Sequence, residues 1–287
     1  MNEYYPIFVL AFLYVVFASI QDIRKREVSN WVNFSLLTFI LAYRLFYGII
    51  NDNYYFFIYS IVGVLVFMLL ANLFYYGRVF AGGDAKLLIA FGAIIPFDSW
   101  YSIIYLGLSF IFLLFLVGAV YSLIYSSVLA LHNFFKFKKE FRQNLRKYKF
   151  YFLISIILAL FLILEYSISG WNGYLSYYSI VFLLLIPFIF VFLKSVENNS
   201  MIKLVSYGVL TEGDWLYKDV KMGNRVIKRS VHGLSLKDIE LIRKNRVNVW
   251  VKYGLPFVPS FLMAFIIMVF FFLFSKFDLQ SFLLSLF

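Results

Sequence analysis

The chain has 287 residues, of which 63% are hydrophobic and only 14% charged; its mean hydropathy is +0.85 and its formal net charge +11. A charged fraction this far below the roughly 25% of soluble domains excludes an ordinary soluble globular protein. The absence of cysteine excludes disulfides, thiolate nucleophiles and cysteine-ligated metals, and two histidines, His132 and His232, argue against a histidine-rich metal site.

The N-terminus, Met1-Asn2-Glu3-Tyr4-Tyr5-Pro6, carries no basic residue, so the first apolar run is expected to be a retained helix rather than a cleaved signal. A bilayer crossing needs about 20 apolar residues. On that basis eight spans are predicted, at 4–21, 30–50, 54–76, 84–97, 99–131, 150–168, 176–193 and 255–276. The fourth is short and ends near Pro96, and the fifth is long enough to tilt or project. The expected class is therefore an all-α polytopic membrane protein with a small α+β cytoplasmic domain.

The connecting segments are asymmetric in charge. Segments 22–29, 77–86, 132–149 and 194–254 together hold 24 of the 26 Lys and Arg residues. An eight-span path puts all four on one side, which the positive-inside rule makes the cytoplasm. In so apolar a chain the charge is read for topology; membrane lipids are expected partners and nucleic acid is not.

Segment 194–254 is the one sizeable soluble region. Met201–Val205, Arg225–Ile227 and Val247–Val251 read as short strands, and a helix is expected from Ser235 to about Arg246. Four regions follow: a transmembrane core over 1–131, a basic loop and inserted hairpin over 132–193, a small cytoplasmic domain over 194–254, and a final helix with a tail over 255–287.

Two acidic residues stand out. Asp22 closes the first apolar run and Asp84 opens the fourth, behind Gly82 and Gly83. Alternation of spans puts both at the cytoplasmic edge, although 62 positions separate them. Ionisable groups at membrane depth are costly and mark functional sites. Each also has a plainer role: Asp84 as a helix N-cap, Asp22 as an interfacial charge beside Arg24 and Arg26. Two carboxylates that meet share a proton and titrate as a unit, one activating water while the other hydrogen-bonds a carbonyl. The glycine pair is expected to turn tightly and to let a substrate chain approach. Lys86 either stabilises charge near Asp84 or snorkels to the interface. Glu27, Glu212 and Asp214 are candidate contacts for a basic substrate segment, or turn residues. There is no Gly-x-Ser-x-Gly elbow, His-Glu-x-x-His motif or phosphate loop.

The stretches Asp22-Ile23-Arg24-Lys25-Arg26-Glu27-Val28, Phe80-Ala81-Gly82-Gly83-Asp84-Ala85-Lys86 and Gly254-Leu255-Pro256-Phe257-Val258-Pro259 resemble the archaeal prepilin and preflagellin peptidases, membrane aspartyl proteases of the GxGD type. Ala81 stands where that motif has its first glycine, and Ser29 where a proline is expected. The resemblance implies a six-helix core and Asp22 and Asp84 as the catalytic pair. It implies no metal or organic cofactor. Its substrates are precursors bearing class III signal peptides, whose short basic leader is cut at the cytoplasmic face of the cell membrane. It does not cover the hairpin at 132–193. A transporter using the aspartates as ion or proton sites is the alternative.

Overall fold

The structure, a computed structural model, describes residues 2–169, 174–222, 225–230 and 233–274; the expected C-terminal tail and His232 lie outside them. In chain order the helices are α1 (Tyr5–Lys25), α2 (Asn30–Ile50), α3 (Tyr54–Tyr76), α4 (Gly82–Ile94), α5 (Trp100–His132), α6 (Phe134–Lys147), α7 (Lys149–Ser169), α8 (Tyr174–Val196), α9 (Leu236–Lys244) and α10 (Val258–Phe274). The strands are β1 (Ile202–Val205), β2 (Val220–Met222), β3 (Arg225–Ile227) and β4 (Val249–Lys252). The chain divides into two compact units, 1–122 with 254–287, and 123–253.

Each of the eight predicted spans contains a helix, and the protein is an all-α polytopic membrane protein with a small α+β region. Among the described residues six of these helices are long and apolar enough to cross a bilayer; α4 has 13 residues, and the described part of α10 has 17. At 1.5 Å per residue α4 is about 20 Å long, against a hydrocarbon core of about 30 Å. Ile95 ends it in an extended conformation, as expected of a residue before proline.

Side-chain contacts fix the directions in the first unit. Phe17 meets Trp31 and Tyr43 bonds the Glu3 carbonyl, so α1 and α2 are antiparallel. Asn30 pairs with Lys86 and Arg44 with the Ile95 carbonyl, so α2 and α4 are parallel. Phe8 packs on Phe265 and Tyr4 on Phe272, which sets α10 antiparallel to α1. Helix α4 is the centre. Leu87, Leu88, Ala90, Phe91, Ala93 and Ile94 are buried around its circumference, and Phe91 touches Phe110 of α5 and Phe261 and Phe265 of α10. A helix apolar all round is a buried one.

Two devices hold this short central helix. Gly92 faces Gly63 of α3, and a Cβ on either would lie within 2.6 Å of the other's carbonyl oxygen, so the two backbones touch. At the far end, Arg44 is fully buried and donates to the Phe56 and Ile95 carbonyls at 3.2 and 2.9 Å, with its guanidinium 4.7 Å from the Phe56 ring centre. The Tyr4 hydroxyl donates to the Phe97 carbonyl. Non-helical backbone at membrane depth must find partners inside the protein. Arg44 and Tyr4 supply them to the extended segment that completes the short crossing.

In the second unit, α7 and α8 pack together, with the Ser155 hydroxyl bonded to the Leu183 carbonyl. Helix α6 occupies what reads in sequence as a basic loop. Strands β1 and β4 pair antiparallel, as do β2 and β3. Ser235 caps α9, where its hydroxyl accepts from the Asp238 N–H. Beneath them Leu210, Leu234, Ile239, Ile242, Val249 and Val251 form a small core.

Candidate active site

Asp22 lies in the last turn of α1 and Asp84 in the first turn of α4, and they are only 6% and 8% exposed. Because α1 opposes α2 and α4 follows it, both fall at the same end of the bundle. Helices α1 and α4 are in contact.

Each carboxylate also serves a helix start. Asp22 Oδ2 accepts the Val258 N–H at 2.9 Å, one of the free donors at the N-terminus of α10. The Arg26 guanidinium donates to the Gly254 carbonyl just upstream. The Gly254–Pro259 segment thus brings backbone donors to an aspartate 236 positions earlier. Asp84 Oδ2 accepts the Ala81 N–H at 3.1 Å. Asp84 is the third residue of α4 and not its N-cap, which is Ala81, so it does not play the N-cap role expected of it; it accepts from the N-cap N–H instead.

The expected tight turn at Gly82 and Gly83 is absent. Both begin α4 with no positive φ. A Cβ at Gly82 would meet only the Tyr75 ring, at 3.8 Å, and one at Gly83 would come no closer than 3.5 Å to Val28. Neither glycine is required by the fold, and the wall of the site beside them is left low. Lys86 is one turn further on, with its ammonium on the Asn30 carboxamide oxygen, so it fastens α4 to the start of α2.

Glu27 is exposed in the α1–α2 link. Glu212 and Asp214 belong to the second unit: Glu212 is exposed, and the Asp214 carboxylate accepts the Thr211 N–H at 2.9 Å as a turn residue. Among the described residues no group of three metal-binding side chains is assembled.

Asn33 of α2 escaped the sequence reading. It is buried, its Nδ2 faces the Gly83 carbonyl at 3.5 Å, and its Oδ1 has no partner. A lone asparagine in an apolar run has no motif around it. Its register, one turn after Asn30, is the only signal that it faces α4.

Residues 8–125 match the type IV leader peptidase family. The preflagellin peptidase of Methanocaldococcus jannaschii is 34% identical over 89 residues, and that of Methanococcus maripaludis 29% identical over the same length. Each match covers 31% of this chain and 38% of the relative, so the similarity spans well under half of either protein. No solved structure matches. The helical stretch that carries both buried aspartates is thus the part of the chain that is similar to type IV leader peptidases.

Proposed function

We propose that this protein is a membrane-embedded aspartic endopeptidase that removes the basic leader from prepilin- or preflagellin-like precursors. The observation that carries the reading is that Asp22 and Asp84, two buried carboxylates, fall at the same end of the bundle, inside the stretch that matches the peptidase family. The pair holds one proton between them. The ionised carboxylate takes a proton from water, whose oxygen attacks the scissile carbonyl carbon. The protonated carboxyl donates to the carbonyl oxygen. Collapse of the tetrahedral intermediate breaks the C–N bond, and the nitrogen leaves with a proton from the dyad.

The low wall at Gly82 and Gly83 gives an extended peptide room to lie beside Asp84, and Lys86 stiffens that wall. Cleavage at the cytoplasmic face of the cell membrane follows from the charge asymmetry of the connecting segments. The catalytic core on this reading is 1–131 with the final helix of 255–287; the hairpin of 132–193 and the domain of 194–254 are additions. Glu27, Glu212 and Asp214 attract the basic leader, so reversing their charges slows cleavage of a basic leader but not of a neutral one. The aspartates sit at helix ends, whereas transport sites cluster near the bilayer midplane, which favours hydrolysis over transport.

The test is cleavage of a prepilin-like precursor by purified protein in detergent, comparing wild type with Asp22→Asn and Asp84→Asn. Both variants are expected to be inactive. Normal processing by either one rules out the dyad.

A further inference from the structure

Helix α6 joins two spans with a single residue on each side, Asn133 after α5 and Tyr148 before α7. At 100° per residue its side chains separate into two faces. Phe137, Phe141, Asn144 and Leu145 share one face, and this face is occupied. The Phe137 ring packs edge-on against Phe192 of α8, with 5.6 Å between centroids, and Asn144 Nδ2 donates to Ser195 Oγ at 3.0 Å. These contacts fall on the last two turns of α8, where Lys194 closes the apolar run. A helix packed there lies at the level where a bilayer's headgroups begin.

The opposite face has no such cover. Lys138, Lys139, Arg142 and Arg146 are exposed along it. Among the described residues none of the four is paired with a carboxylate. At the N-terminal end of this face stands Phe135, 88% exposed, on the side of the helix turned away from α8. A face that met only water would gain nothing from an aromatic ring. Cations beside an aromatic, on a helix held at bilayer level, match an interfacial helix: phosphates take the charges and the ring enters the boundary below them.

We propose that this face of α6 docks onto the anionic phospholipid headgroups of the bilayer that the protein spans. The contact is independent of the peptidase reading. It also accounts for a dense positive surface on a protein whose proposed substrate is itself basic: the charge serves the membrane, not the substrate.

Gln143 is exposed at the margin of this face, and the chain has no cysteine, so Gln143→Cys creates a single site for an environment-sensitive fluorophore. The labelled full-length protein is placed in nanodiscs of phosphatidylcholine alone or mixed with phosphatidylglycerol, with bromine on the chains of one lipid or the other. Brominated phosphatidylglycerol is expected to quench severalfold more than brominated phosphatidylcholine in the mixed disc, and added salt to narrow the difference. Changing Lys138, Lys139, Arg142 and Arg146 together to Gln should bring the two lipids to equal quenching, each charge contributing part of the preference. Phe135→Ala, which keeps every charge, should retain the preference but weaken quenching by both lipids. A label equally exposed to water in both bilayers would overturn the proposal and turn attention to an acidic protein partner. A preference that survives removal of all four charges would overturn it too.

Discussion

Replacing Gly92 with alanine perturbs the candidate active site from the other end of α4. The new Cβ would lie 2.6 Å from the Gly63 carbonyl oxygen and 2.8 Å from the Val64 Cα. Both neighbours are backbone, so no side chain can swing away. Reaching 3.4 Å, where ordinary contact begins, requires α3 and α4 to part by about 0.8 Å. Overpacking of this kind costs ~1–3 kcal/mol, offset by up to ~1 kcal/mol from alanine's better helix propensity. A net loss of ~1–2 kcal/mol in stability is expected. The same displacement is carried along α4 to Asp84, eight residues and roughly 12 Å away. A misplacement of about 1 Å at a reacting group costs on the order of 100-fold in rate. Thermal unfolding in detergent and precursor cleavage, measured on the same preparation, give both quantities. Gly83→Ala is the control: its Cβ meets nothing within 3.5 Å, so stability should hold even if cleavage falls through a crowded peptide path. Wild-type stability and activity in Gly92→Ala would show that the two helices are not in backbone contact, and the reasoning would fail.

Other substitutions probe the remaining contacts. Val258→Pro deletes the N–H that Asp22 accepts while leaving proline at a favourable first position of α10. A hydrogen bond to a charged group contributes ~1.5–3 kcal/mol, so cleavage should drop roughly 10- to 100-fold with the protein still folded; unchanged turnover would remove α10 from the site. Arg44→Lys keeps the charge but lacks the planar fork that reaches two carbonyls. A loss of ~1.5–3 kcal/mol in thermal stability is expected, and an unchanged melting temperature would refute the anchoring role. Asn33→Leu removes a buried acceptor that has no partner along with a long 3.5 Å contact to the Gly83 carbonyl, so thermal stability should be unchanged or higher; a clear fall would show that the side chain's bonds outweigh the cost of burying Oδ1.

The helices were legible because apolar runs of about 20 residues carry their own boundaries. What hydropathy did not carry was length in three dimensions. Span 84–97 reads as a crossing, yet Pro96 stops α4 at Ile94, and the remainder is extended backbone held by Arg44. That arginine passes unnoticed in sequence because a charge inside an apolar run advertises no partner, and its partners are carbonyls. Helix α6 was hidden by its own charge: Phe134, Phe137, Phe141 and Leu145 recur at helical spacing, but seven basic residues over 132–149 read as a topogenic loop. In the site, the aspartates were visible from topology and flanking motifs. The Val258 N–H was not, since a backbone donor leaves no trace in the identity of its residue. The glycine pair misled for a related reason, because glycine signals freedom without saying whether the backbone uses it.

The bond between Asp22 and Val258 has a consequence for biosynthesis. The first unit is discontinuous: its last helix is made only after the entire second unit has been synthesised. Until α10 docks, Asp22 lacks the donor that holds it, and Phe8, Phe80 and Phe91 lack the aromatic partners that α10 and the residue before it provide. A nascent chain is therefore expected to hold both aspartates in the membrane without a finished site. On the proposed function, proteolytic competence waits for α10, and nascent chains are silent toward precursors until that helix docks.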